Sequence, residues 1–355
     1  MKKNKLLTII FLLAFGVLLS ACGTRVMPSS WPGITVDGDT VYVAYNPHVY
    51  ALRLDNGREI WRFPNEPDNS LTIFAAPVMT EDGQLLAGGY NHIFYSLDPD
   101  TGQENWRNED VDNLWIGSPL VTEERIYAPN ANHTLYALDF DGDIIWEYES
   151  GDPLWATPVT DGDTLYLAAM DHNLYALPFG GGDPRWLVPL NGAMVNGPVL
   201  SPDGVLYVGS FGNEVVAVDS QTGKLLWEVP TEDWVWASPS LGEDVVYVAD
   251  ISGMLYALDA TSGDEIWSLD AGSNITGSPL VHEDTIYIAT EGGDVLAVDT
   301  TGKRIWTEAI GGRLLSSPVA AEDLILIGIV EAESGAVIVA LDLNGVQQWA
   351  FAPEN

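Results

Sequence analysis

Four of the five histidines invite a search for a metal centre. His92, His133 and His172 each stand three residues before a tyrosine (Tyr95, Tyr136, Tyr175), and His48 sits one place off the same position. Imidazole is the commonest metal ligand, and zinc holds its nitrogens at about 2.0–2.1 Å. The residues at the same place further along the chain are Asn213, Gly253 and Gly293. Those types tolerate a left-handed backbone, and His is enriched there too. Each of the three histidines also follows Asn91, Asn132 or Asp171, as a turn residue would. Side chains carried on successive sheets about 10 Å apart converge poorly on one ion. The expectation is three turns and no metal.

Other chemistry is no better served. Asp139 to Asp143 reads DFDGD, with acids at positions one, three and five of a would-be calcium loop. Ile144 and Ser150 then occupy the places where that loop needs Gly and Glu. No His-Glu-x-x-His, Gly-x-Ser-x-Gly or phosphate-cradling Gly-x-x-x-x-Gly-Lys-Ser/Thr run occurs. No catalytic residue and no cofactor are assigned from these patterns.

Cys22 is the only cysteine. Before it, Lys2, Lys3 and Lys5 precede an apolar run from Leu6 to Leu19, then Ser20-Ala21. A positive start, a short apolar core and small residues before the cut site are the parts of an export signal. The Leu-Ser-Ala-Cys end resembles the bacterial lipobox, whose cysteine is lipidated after cleavage. The expected organisation is therefore a lipoprotein signal peptide (1–21), a lipidated Cys22 with a short tether (22–30), and one large domain (31–355). One cysteine allows no internal disulfide, so packing alone must hold that domain.

The charge is lopsided: 51 acids against 14 Lys and Arg give a formal −37, and three of those lysines precede Cys22 while no acid does. Such a surface repels nucleic acid, whose binding rests on neutralising phosphates with Lys and Arg. It attracts cations and basic protein partners. Membrane attachment must come from acyl chains on Cys22, not from a basic patch.

What positions any site here is a repeat. LYALDATSGDEIW, ending at Trp267, returns in LYALDFDGDIIW, VVAVDSQTGKLLW and VLAVDTTGKRIW, ending at Trp146, Trp227 and Trp306. Weaker copies end at Trp61, Trp106, Trp186 and Trp349, and the eight indoles are 45, 40, 40, 41, 40, 39 and 43 residues apart. Upstream in each copy a proline follows a small residue: Pro77, Pro119, Pro158, Pro198, Pro239, Pro279 and Pro318, with Ile34 in that slot of the first copy. A period near forty means a propeller or an array. Within a copy, apolar residues alternate with a period of two between three turn clusters, which gives four short strands. The fold expected is all-β: an eight-bladed β-propeller with four antiparallel strands per blade. The proline slot opens the strand nearest the axis, where a missing N–H costs no ladder bond. The eight repeated tryptophans open the outermost strand and wedge between blades as structural residues. In this register both chain ends fall between blades.

These copies resemble the quinoprotein-type (PQQ-like) propeller repeats, most closely over SPSLGEDVVYVADISGMLYALDATSGDEIW and SPLVHEDTIYIATEGGDVLAVDTTGKRIW. Joined to the lipobox, the chain is similar to BamB-type lipoproteins. That resemblance implies a non-enzymatic scaffold for protein–protein contacts in the cell envelope. Dehydrogenases of the repeat family carry an adjacent cysteine pair against PQQ and an Asp base, and a chain with one cysteine cannot supply the pair. The quinoprotein enzyme is the least favoured reading, since function belongs to the site and not to the fold.

Five tryptophans lie outside the repeat: Trp31, Trp115, Trp155, Trp234 and Trp236, all within five residues before the proline slot. Loops at that place emerge on one face of a propeller, so all five form a candidate partner-binding rim, with Glu232 and Asp233 beside Trp234. Three places before the slot stand Trp31, Phe74, Ile116, Trp155, Val195, Trp236, Thr276 and Leu315. Seven of the eight are apolar, which predicts burial and a structural role. One place earlier, Trp115 shares its slot with Ile73, Leu154 and Met194 and reads as core. Five places before the slot the pattern dissolves, and Trp234 is the best candidate for an exposed contact. A monomeric scaffold with protein partners is the reading favoured; a small-molecule or glycan receptor using the same rim is the alternative.

Overall fold

The computed structural model describes residues 30–68 and 70–354. The expected signal peptide and Cys22 lie outside the described residues. The described chain forms eight four-stranded antiparallel sheets, each continuous in sequence and each hydrogen-bonded in chain order. They are blades 1 to 8, at 33–63, 78–108, 120–149, 159–189, 199–230, 240–270, 280–309 and 319–351.

Blade 6 shows how sequence becomes sheet. Its strands are Ser240–Leu241, Val245–Ala249, Met254–Asp259 and Glu265–Asp270. The proline slot ends just before the first strand in blades 2 to 8, which keeps that strand short. The second and third strands carry VVYVA and MLYALD, buried almost throughout. Successive strand residues face opposite ways, and here both ways are core. Val246 and Val248 pack into the seam with blade 5, while Tyr247 and Ala249 pack into the seam with blade 7. The described residues hold eight such apolar clusters, one per seam. A sheet sandwiched on both faces needs near-continuous β-branched and aromatic runs, and these strands supply them.

Each repeated tryptophan spans a seam. In seven seams its Nε1 donates to a carbonyl in the third-to-fourth-strand hairpin of the next blade, at 2.8–3.0 Å: Trp61 to Pro99, Trp106 to Phe140, Trp186 to Ser220, Trp227 to Ala260, Trp267 to Thr300, Trp306 to Leu343 and Trp349 to Leu54. Trp146 is different, with its Nε1 shielded and unpartnered. The hairpin glycine beneath each indole has two jobs. At Gly263 the backbone sits at φ +77°, and a Cβ would stand 2.8 Å from the Trp227 ring. Turn geometry alone selects Gly, Asn or Asp; the indole above leaves only Gly.

Two details differ from the sequence expectation. The tryptophan does not open the fourth strand in most blades. A β-bulge precedes it, as where Ala137 faces Trp146 while Leu138 faces Ile144, leaving Ile145 unpaired. The extra residue is turned outward: Ile60, Ile145, Leu226, Ile266 and Ile305 stand on the rim of the wheel about half exposed. Bulges of this kind break up an otherwise pairable edge. Ser30, assigned to the tether, is fully buried, and its Oγ accepts the Asn46 N–H at 2.6 Å. The packed domain thus reaches back at least to residue 30.

Candidate functional site

The loops that lead from one blade into the first strand of the next converge on the axis. They enclose a cavity of about 530 Å³ to which all eight blades contribute. Every residue three places before the proline slot lines it: Trp31, Phe74, Ile116, Trp155, Val195, Trp236, Thr276 and Leu315. This corrects the expectation of a buried structural slot. Six of the eight are only partly buried, and their shared apolar character reflects a common wall around the axis. The position one place earlier is true core. Ile73, Leu154, Met194, Ile275 and Leu314 are fully buried.

Trp115 belongs to that core and not to the rim. It is 1% exposed, its ring lies 5.0 Å from Phe94 and 5.8 Å from Tyr136, and its Cβ occupies the space over Gly88. A side chain so enclosed touches no partner.

Two places before the axial ring, the side chains vary while the backbone does not. The carbonyl at this position accepts an N–H from the second-to-third-strand hairpin of its own blade in seven blades, among them Trp234 from Ile251 at 3.0 Å and Asn274 from Glu291 at 2.8 Å. A backbone held this way tolerates any side chain, which is why the sequence pattern dissolves here. Trp234, Asn274 and Arg313 project from this ring and line the cavity.

Trp234 is 45% exposed. It stacks on Phe211 of blade 5 at 5.0 Å and 18°, and Trp236 packs against the same phenyl at 5.2 Å. The acids beside it are held by their backbone. The Glu232 N–H donates to the Tyr256 hydroxyl at 3.0 Å and the Asp233 N–H to Asp250 at 3.2 Å. The Tyr256 hydroxyl in turn donates to the buried Asp250 at 3.0 Å. Burial, and then the Asp250 carboxylate, push the Tyr256 phenol well above the ordinary tyrosine range, so it remains a donor. Glu232 is left exposed. Across the ring, Trp31 meets Phe74 edge-on at 5.1 Å, and Phe74 stacks on Tyr90 at 4.2 Å. Trp155, between these groups, has an Nε1 that is shielded from solvent and without a partner. The charged groups lining the cavity are Glu291 and Arg313, paired at 3.1 Å.

The histidines take the turn places. His92, His133 and His172 have φ of +70°, +76° and +71°, as Asn213, Gly253 and Gly293 do at +60°, +95° and +89°. Their carbonyls are engaged: His133 accepts from Ser150 N at 2.8 Å and His172 from Leu190 N at 2.8 Å. His48 stands apart, buried at the start of a third strand with Nδ1 2.8 Å from the Pro64 carbonyl.

Comparison with known proteins fits this architecture. The family described as "Outer membrane protein assembly factor BamB" matches residues 46–196, 180–278 and 252–355. The crystal structure of BamB from Moraxella catarrhalis superposes with a TM-score of 0.73 at 17% identity, covering 83% of this chain and 92% of that one. The computationally designed Ika8 protein superposes at 0.75 and 15% identity, covering 89% and 96%. These two similarities concern the fold. Shorter stretches resemble a 1-butanol dehydrogenase (cytochrome c) from Thauera butanivorans, 33% identical over 97 residues, and the serine/threonine-protein kinase AfsK from Streptomyces griseus, 32% over 99 residues. Each covers 24% of this chain, and the aligned part spans only 14% and 12% of those two proteins. With repeat matches running from residue 46 to the C-terminus, the chain belongs to the BamB family of PQQ-type repeat β-propellers.

Proposed function

We propose that this protein is a non-enzymatic scaffold of the cell envelope, held to a membrane by lipid on Cys22, that binds protein partners through its loop face. Family membership supports the class of function. The observation that carries the site is Trp234: a large aromatic, nearly half exposed, braced by Phe211 and flanked by the acids Glu232 and Asp233. Aromatic anchors on rigid supports dominate interface energetics. The acidic flank and the formal −37 of the chain favour a basic partner surface and speed its encounter. The lone cysteine, placed in the lipobox-like segment, leaves no thiol pair for quinone chemistry.

A photo-crosslinking amino acid at position 234 tests this in intact cells, with position 305 on the outer edge as the control. A discrete protein adduct at 234 that is absent at 305, and is lost when Glu232 and Asp233 both become Lys, is the expected result. Equal labelling at both positions, or none at 234, rules the loop face out.

A further inference from the structure

The segment that enters the wheel is pinned at one face. Ser30 is fully buried; its Oγ accepts the Asn46 N–H at 2.6 Å, and its own N–H donates to the Asn46 side-chain carbonyl at 3.2 Å. Asn46 lies in the hairpin between Thr40–Tyr45 and His48–Arg53, the second and third strands of blade 1. Its carbonyl accepts the Ile73 N–H at 2.9 Å, from the loop that leads into blade 2. The next residue in the chain, Trp31, lines the axial cavity beside Phe74. In a four-stranded antiparallel sheet the turns alternate between faces, so second-to-third-strand hairpins share a face with the loops between blades. The chain therefore enters at the loop face, close to the axis, on the side that carries Trp234.

Sequence then limits how far the wheel can stand from a lipid on Cys22. Eight residue steps separate Cys22 from Ser30. A chain spans at most about 3.6 Å per residue, or about 29 Å here. The way round to the opposite face is longer. From the innermost strand to the rim is about 14 Å, and a six-residue strand such as Thr40–Tyr45 adds about 20 Å of thickness. The short way, down the axis, would thread a chain end through a closed ring, which folded chains avoid.

We infer that the tether turns the loop face toward the membrane and holds it within about 29 Å of the bilayer surface. The first-to-second-strand and third-to-fourth-strand hairpins then point away. This rests on the lipid anchor at Cys22 proposed above, and it adds a constraint to the Trp234 site. A partner is met in the layer between wheel and bilayer, not from the open aqueous side. The length of the tether governs what reaches the indole.

The test uses the full-length lipidated protein in phosphatidylcholine vesicles whose headgroups carry an energy-transfer acceptor. Cys22 has no free thiol once lipidated, so one added cysteine alone takes a fluorophore. Asp152→Cys places the dye in the loop between blades 3 and 4. Asp141→Cys places it in the third-to-fourth-strand hairpin of blade 3, on the opposite face, and both positions are exposed. With the dyes separated by the thickness of the wheel, transfer from position 152 should exceed transfer from position 141 by about twofold or more. A Gly-Ser insert of about twenty residues after Gly23 gives a flexible tether of ample reach and should erase the difference. Equal transfer at the native tether length, or greater transfer from position 141, overturns the orientation and leaves the anchor standing. A difference that survives the insert overturns it too, because the tether is then not its cause. Protein that does not float with the vesicles lacks the anchor, which overturns anchor and orientation together while loop-face binding still answers to the crosslinking test.

Discussion

Trp349 Nε1 donates to the Leu54 carbonyl at 2.8 Å, joining the last blade to the first across 295 residues. The same indole covers Gly57, and Phe351 packs edge-on against Tyr50 at 5.3 Å. Among the described residues, no strand is exchanged between the first and last blades. The seam that closes the wheel uses the same device as the seams inside it.

Truncating that indole should therefore cost as much as truncating an internal one. Trp349→Ala and Trp227→Ala are each expected to lose about 3–5 kcal/mol in denaturant unfolding, the usual cost of removing a packed Trp. A closing seam that tolerated Trp349→Ala would show that the two ends are only loosely joined.

Trp146 offers a contrast within one molecule. Its Nε1 has no acceptor, whereas Trp227 Nε1 bonds the Ala260 carbonyl at 3.0 Å. Replacing indole by phenyl removes ring volume in both but a hydrogen bond in one only. Trp227→Phe should cost about 1 kcal/mol more than Trp146→Phe, the net worth of a typical bond. Parallel urea melts decide it.

Two positive-φ glycines, one in a hairpin and one in the loop between blades 6 and 7, separate backbone strain from collision. Gly272 sits at φ +86° with open space around its Cα, while Gly263 sits at φ +77° beneath the Trp227 ring. Gly272→Ala should cost about 1–2 kcal/mol, from the left-handed backbone alone. Gly263→Ala adds an overpacked seam, worth about 1–3 kcal/mol more. Equal losses would mean that the indole gives way freely.

His48 should make stability depend on pH in a defined direction. Burial, foremost, holds its imidazole below the ordinary histidine range, opposed by the bond to the Pro64 carbonyl, with Arg62 lowering it and Glu59 raising it. The unfolded chain binds a proton near pH ~6.5 while the folded one still resists it. Stability from the neutral ring is thus complete above that pH and lost as pH falls through the lower folded value. Thermal melts of wild type and His48→Asn between about pH 7.5 and 5 should show the wild-type advantage shrinking on acidification. A gap that widens instead would show that the charged ring is the favoured form.

Much of this was open to reading in the sequence, because a wheel repeats its physics. A wedge needed once per seam writes Trp every forty residues, and a left-handed turn writes His, Asn or Gly in register. The axial ring was misread for a physical reason: packing into a core and lining a narrow channel select the same apolar residues. Trp31, Trp155 and Trp236 therefore looked like core, although Trp115, one slot earlier in its loop, was read as core correctly. The bulge before seven of the eight seam indoles could not be seen, since Ile145 and Ile266 fit a regular strand equally well until the pairing partners are known. The variable position of Trp234 was visible as a loss of pattern, but its cause, a clamped carbonyl, lies in the backbone.

Because every sheet is continuous in sequence and the ends meet at an ordinary junction, the order in which the blades are strung carries little structural meaning. A circular permutant that links residue 354 to residue 30 and opens the chain between Asp270 and Leu280 would retain all four strands of every blade, with only one linker moved. Any of the eight junctions between blades could then serve equally well as the place where the polypeptide enters the wheel.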